Sequence, residues 1–129
     1  MKTPPRRPRK RSAAASPLST ELTLAITAAL EKKAMDVVVL DLRKASAFTD
    51  FFVICTGGNA RQIQAIADAV QSTLGQHGTK PALVEGLGRS EWVLIDYFDF
   101  IVHIFSPTTR EFYALERLWG DAERVEVSA

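Results

Sequence analysis

One cysteine, two histidines, no long apolar run and an amino terminus without acidic residues set the first limits on this 129-residue chain. With Cys55 alone there is no internal disulfide, so the fold must rest on its own core, and a reducing compartment, the cytoplasm, is the expected setting. Cys55 stands in the run Phe51-Phe52-Val53-Ile54-Cys55 with no histidine or basic residue adjoining it, which predicts an inert buried side chain rather than a reactive thiolate. No apolar run approaches the roughly 20 residues of a membrane helix, so no membrane association is expected. Neither G-x-x-x-x-G-K-[ST] nor G-x-G-x-x-G occurs, and neither His77 nor His103 has a partner at metal-ligand spacing. No catalytic residue, metal or cofactor is therefore expected.

What is present is enough for one domain, since a chain of this length buries roughly two-thirds of its unfolded surface. The net charge of +1 hides an asymmetry: residues 1–20 hold Lys2, Arg6, Arg7, Arg9, Lys10 and Arg11 and no acid, leaving the remainder with 10 basic and 15 acidic residues. A body at −5 is a poor ligand for nucleic acid, so any weak contact with RNA phosphates is expected from the arm. Residues 1–17, rich in Pro, Arg, Ala and Ser, read as a disordered arm without the apolar centre of a secretory signal; an organellar transit peptide is a second compositional reading.

Ser16-Pro17 can open a helix reaching about Lys33, with Leu18, Leu22, Ile26, Ala29 and Leu30 on one stripe. Strands are expected at 37–40 and 50–56, the second too uniformly apolar to have a solvated face. Gly57-Gly58-Asn59 then leads into a helix over 60–76, with Asn59 as N-cap, Ile63, Ile66, Ala67, Val70 and Leu74 buried, and Gly78 as terminator. A strand near 81–84 precedes a hairpin of 92–96 and 100–105. Ser106-Pro107 caps a last helix over 108–119, held by Leu115, Leu118 and Trp119, with a frayed tail after it. The order predicts an α/β (α+β) single domain with a mixed five-stranded sheet and packed helices, over residues 18–121, with 122–129 as a C-terminal tail.

The hairpin carries the functional reading. A two-residue turn at Phe98-Asp99 opposes Trp92 to Phe105, Leu94 to His103 and Asp96 to Ile101. One face then holds Val93, Ile95, Tyr97, Phe100, Val102 and Ile104, suited to covering helices. The other holds Trp92, Leu94, Asp96, Ile101, His103 and Phe105, a mixture more typical of a partner surface than of a dry core. The candidate partner-binding set is Trp92, Leu94, Asp96, His103 and Phe105, with Tyr97 at the turn and Arg110 and Tyr113 on the following helix. Arg110 and Glu116 also fit the solvated face of that helix, and an exposed aromatic patch is compatible with a homodimer of the free protein.

The same chain admits enzymatic readings. Strand, Gly-Gly, helix can present N–H groups to a phosphate, and nucleotidyltransferases use such a turn with closely spaced acids. Here the following strand offers only Glu85, and Asp96 and Asp99 are three apart across a turn, so no D-x-D pair forms. His103 shares a face with Asp96 but has no nucleophile beside it.

The segments DLR, TDFFVICTGGNARQIQAIAD, EG, WVLIDYFDFIVHIF and REFYALERLW together strongly resemble the Iojap family, whose bacterial members are called ribosomal silencing factors. The resemblance runs over about residues 18–121. It implies a nucleotidyltransferase-like fold without the catalytic acids, and binding to the large ribosomal subunit through its fourteenth-numbered protein at the intersubunit face. Such binding would block joining of the small subunit and repress translation under nutrient limitation. Readings in other classes are a nucleotide-dependent enzyme and an RNA-binding module acting through the arm. Family members usually have Gly where this chain has Phe98; a left-handed residue there disfavours a side chain, so a rearranged turn or an added aromatic contact is expected.

Overall fold

The two central strands of the sheet are buried throughout, and apolar but for Thr56 and His103, because both of their faces are covered. The structure, a computed structural model, describes residues 19–45 and 47–127. In chain order the elements are α1 (Thr20–Glu31), β1 (Met35–Asp41), β2 (Phe51–Thr56), α2 (Ala60–Gln76), β3 (Leu83–Glu85), β4 (Trp92–Asp96), β5 (Phe100–Phe105), α3 (Pro107–Tyr113), the single turn α4 (Leu115–Leu118) and β6 (Glu123–Glu126). They form a mixed α+β domain with a six-stranded sheet in the order β3-β4-β5-β2-β1-β6. β2 and β5 run parallel and every other neighbouring pair is antiparallel.

All six residues of β2 and of β5 are buried. β4, one place further out, alternates between buried and half-buried positions, as a strand covered fully on one side only should. One face of the sheet presents Val37, Val39, Val53, Cys55, Val93, Ile95, Val102 and Ile104 to α1 and α2, where Leu22, Ala29, Ile63, Ile66, Val70 and Leu74 complete the main core. Both helices are capped as their sequences require: the Ser19 hydroxyl accepts from Leu22 N–H and Asn59 Oδ1 from Gln62 N–H. Ser19 thus takes the capping place expected of Ser16, which with Pro17, Leu18 and the basic arm lies outside the described residues.

Four expectations are corrected. The tail is not wholly irregular: Glu123–Glu126 pairs antiparallel with β1 as a sixth strand. The opposite face of the sheet is not open, because Val38, Leu40, Phe52, Ile54, Ile101 and Phe105 form a second core with Leu115, flanked by Trp92, Leu94 and Trp119. The last helix is broken, because Ala114 adopts a left-handed conformation (φ 45°) and separates α3 from α4. That conformation costs a non-glycine residue about 1–2 kcal/mol; burial of Leu115 and half-burial of Trp119 offset it. Leu118, expected to hold the helix down, is exposed.

The hairpin keeps its expected register, with Trp92 opposite Phe105 and Asp96 opposite Ile101. The turn is not rearranged. Phe98 adopts φ 73°, and the Asp99 N–H donates to Tyr97 O at 2.9 Å. Neighbours hold the strained residue in place: Asp96 Oδ1 accepts from Phe98 N–H at 2.8 Å, and Thr49 Oγ1 donates to Phe98 O at 2.7 Å. The phenyl ring is 71% exposed, so it returns little packing for that strain. Phe98→Gly should accordingly raise the unfolding free energy by roughly 1 kcal/mol, with the left-handed cost removed and little packing lost. Chemical denaturation of the two proteins checks this, and an unchanged or lower midpoint would count against it.

Candidate functional site

Trp92 is the first residue of β4 and faces Phe105, the last of β5, at the end of the sheet where α3 begins. Ser106 N–H continues the ladder by donating to Glu91 O at 2.9 Å, and the Ser106 hydroxyl then accepts from Thr109 N–H, so α3 starts directly from the strand end. On the preceding side, Gly86 (φ 92°) lets the chain pass the Trp92 carbonyl, with which any Cβ would collide. This geometry stacks rings from the core outward. Phe105 lies 5.0 Å from Trp92, Trp92 4.6 Å from Tyr113, and Tyr113 5.0 Å from Phe112, edge to face. Phe105 is wholly buried and Trp92 half-buried, while Tyr113 and Phe112 are 46% and 78% exposed. No side chain of α3 is fully buried, so the series ends as an open aromatic surface of the kind enriched at interface centres.

His103 lies under this surface, with only 3% of its area exposed. Trp92 Nε1–H donates to its Nδ1 at 3.1 Å, which leaves the ring proton on Nε2. Phe52 packs edge-on at 4.5 Å and Phe105 stacks at 6.1 Å. Nε2 has no partner among the described residues. Burial among these rings disfavours the imidazolium and pushes the pKa down to about 4.

Arg110 is the brace. Its Nη1 donates to Asp36 O at 2.7 Å and to Thr56 Oγ1 at 2.9 Å, while Nε and Nη2 both donate to Glu116 Oε2, at 3.1 and 2.6 Å. It therefore ties α3 to β1, β2 and α4. Asp36, left-handed at φ 50° within an irregularity of the β1 register, turns its carbonyl toward the guanidinium. Burial alone would raise the Glu116 carboxyl pKa; the Arg110 hydrogen bonds outweigh it and hold that group below its ordinary value. Arg110 and Glu116 are thus an internal pair and not the solvated face read from the sequence.

The expected set is brought together only in part. Trp92, Leu94 and Tyr113 share the open side of the site, with Leu94 half-buried opposite His103. His103 and Phe105 lie beneath it and are too buried to be touched directly. Tyr97 sits in the main core, stacked 5.2 Å from Phe100, where burial raises its phenol to about 12. Asp96 is at the far end of the hairpin, engaged with Phe98 N–H. Phe112, absent from the sequence-based set, is the most exposed ring of the series; a helix burying none of its residues was the missing signal, because the sequence read as one helix docked by Leu118 and Trp119.

The phosphate turn is already occupied by its own chain. Gly58 N–H donates to Gln62 Oε1 at 2.6 Å, and Gln62 Nε2 donates to Lys32 O and Lys33 O. Gly57 is needed for packing, since a Cβ there would press on Ile63. Gly57 N–H bonds to Phe105 O, whereas Asp96 pairs with Ile101, four residues back along β5, roughly 13 Å away at strand spacing. The residues of the nucleotidyltransferase reading are therefore not assembled. Among the described residues no group of three or more His, Cys, Asp or Glu is placed to hold a metal ion, and no helix is long and apolar enough to cross a membrane.

Two outcomes follow from this geometry. Arg110→Ala should destabilise the fold by roughly 2 kcal/mol, leaving Glu116 and the Asp36 carbonyl without their donor, and should detach Tyr113 from Trp92, seen as a loss of near-UV circular dichroism. His103 adds a pH dependence. Its folded pKa is below the unfolded value, so the unfolded chain binds the extra proton and stability falls as pH drops from about 6.5 toward 4, by up to about 3 kcal/mol. Denaturation at pH 7 and pH 4.5 should show a smaller decrease in His103→Leu than in the parent; equal decreases would contradict the assignment.

The family described as ribosomal silencing factor during starvation matches residues 15–129. A ribosomal silencing factor of Halalkalibacterium halodurans is 42% identical over 106 residues, covering 82% of this chain and 91% of its own. The chloroplastic protein Iojap of Zea mays is 38% identical over 110 residues, 85% of this chain and 47% of that one. A crystal structure of a Chromobacterium violaceum protein superposes with a TM-score of 0.76 at 33% identity, covering 84% of this chain and 91% of that chain. Family match, relatives and fold agree, and the chain belongs to the Iojap family of ribosomal silencing factors.

Proposed function

We propose that this protein silences translation by binding the large ribosomal subunit at its intersubunit face, through that subunit's fourteenth-numbered protein, and so excludes the small subunit. The observation that carries the reading is the open aromatic surface of Trp92, Tyr113 and Phe112, built on a helix with no fully buried side chain and beside a Gly-Gly turn closed by Gln62. A surface of rigid rings on a braced scaffold suits docking, in which a few central aromatics carry most of the affinity. No turnover is required of it: the protein acts as a steric regulator in the cytoplasm, where ribosomes are. Leu94 extends the surface along β4. The arm, residues 1–17, with six basic side chains and no acid, adds weak salt-dependent contact with ribosomal RNA. The exposed rings also supply a surface through which the free protein can pair with a second copy.

Sedimentation through sucrose with purified subunits tests this. The parent protein should migrate with the large subunit and prevent its joining to the small one. Trp92→Ala and Tyr113→Ala should each weaken binding by about 2 kcal/mol, some thirtyfold, while Asp68→Ala, on the exposed side of α2, should not. Binding by a normally folded Trp92→Ala protein at parental strength would sink the reading.

A further inference from the structure

We infer that His103 is a positioning residue for the docking surface: its Nδ1 accepts the Trp92 indole N–H and so fixes the orientation of the central ring before a partner arrives. The inference rests on the proposed function in taking Trp92 as a contact, and it assigns a role to a residue that the partner does not touch.

The arrangement has three parts. The acceptor is buried, with His103 3% exposed, whereas the donor ring is half-buried and reaches the surface. The bond crosses the hairpin diagonally, from the first residue of β4 to a residue two before the end of β5, and pulls the polar edge of the indole inward. Phe105 at 5.0 Å and Tyr113 at 4.6 Å pack against the same ring. Hydrogen bond and ring contacts together leave the indole one seat. Phe52, Trp92 and Phe105 pack around the imidazole, and none brings a charge.

The physical consequence falls on binding more than on folding. Without the acceptor, the N–H of a half-buried indole can turn toward water in the free protein. Docking expels that water and leaves a buried donor unpaired, a penalty that appears only in the complex. It also restores freedom to a ring that must be ordered again on binding.

The experiment uses the full chain, uniformly labelled with nitrogen-15, and purified large subunits. His103→Leu and His103→Phe remove the acceptor; His103→Asn places an amide oxygen near the position of Nδ1. In whichever apolar variant retains the fold, the Trp92 indole cross-peak, identified by its absence in Trp92→Phe, should move upfield and exchange faster with solvent. Binding should weaken about five- to thirtyfold. His103→Asn should restore both the cross-peak and the affinity to within about twofold of the parent. Parental affinity in a folded apolar variant, or equal loss in His103→Asn and the apolar variants with the cross-peak unmoved, overturns the positioning role. Failure of the underlying surface is distinguishable, because Trp92→Ala and Tyr113→Ala would then bind as the parent does; if those two lose binding and the folded apolar variant does not, only the positioning role falls.

Discussion

The parallel pairing of β2 with β5 is the constraint on which the rest of the molecule depends. Its register places Phe51 against Phe100 and Thr56 against Phe105, and Gly57 N–H extends it by one bond to Phe105 O. Two strands buried on both faces can sit only at the centre of a sheet, so helices must cover one side and some other apolar layer the other. α1 and α2 meet the first demand. Leu115 and Trp119, at the end of the chain's broken last helix, meet the second. The same pairing delivers the α2 turn and the start of α3 to one end of the sheet, where the aromatic surface is built.

Several side-chain residues occupy left-handed backbone that a glycine would take at less cost: Lys33, Asp36, Ser90, Phe98 and Ala114. Such strain persists where the surroundings over-determine it. At Asp36 and Ala114 the surroundings are identifiable, since Arg110 takes the Asp36 carbonyl and closes on Glu116 across the Ala114 break. The break allows α3 to carry Tyr113 against Trp92 while α4 turns Leu115 into the second core. An unbroken helix would make those two placements compete. Structure and site are thus joined through one arginine whose guanidinium is engaged within the fold.

The fold's own polar groups close the turn between β2 and α2. Gln62 fills the Gly58 N–H that a phosphate would use, and Asp96 and Asp99 lie at the other end of the hairpin. Buried titratable groups are held neutral: Cys55 is pushed up to about 12 and His103 down to about 4, in both cases by burial. Polarity near the surface is spent on orientation, through Trp92 with His103 and Arg110 with its four partner contacts.

The sequence by itself determined the elements whose signals are local. Strand alternation settled the β4–β5 register and the helix-facing residues Val93, Ile95, Val102 and Ile104, and the Asn59 cap with the stripe from Ile63 to Leu74 settled α2. The family was legible too, because its motifs are contiguous. Tertiary structure decided what depends on non-local partners. β6 exists because β1 offers it an edge, which nothing in 123–126 announces. The break at Ala114 falls on a residue that favours helix and is imposed by what Arg110, Leu115 and Trp119 reach. The mixed hairpin face became a second core over its inner part for the same reason: alternation tells which residues share a face, but only the path of the remaining chain decides which of them are covered. His103 and Phe105 were covered, and Trp92 was left half in water.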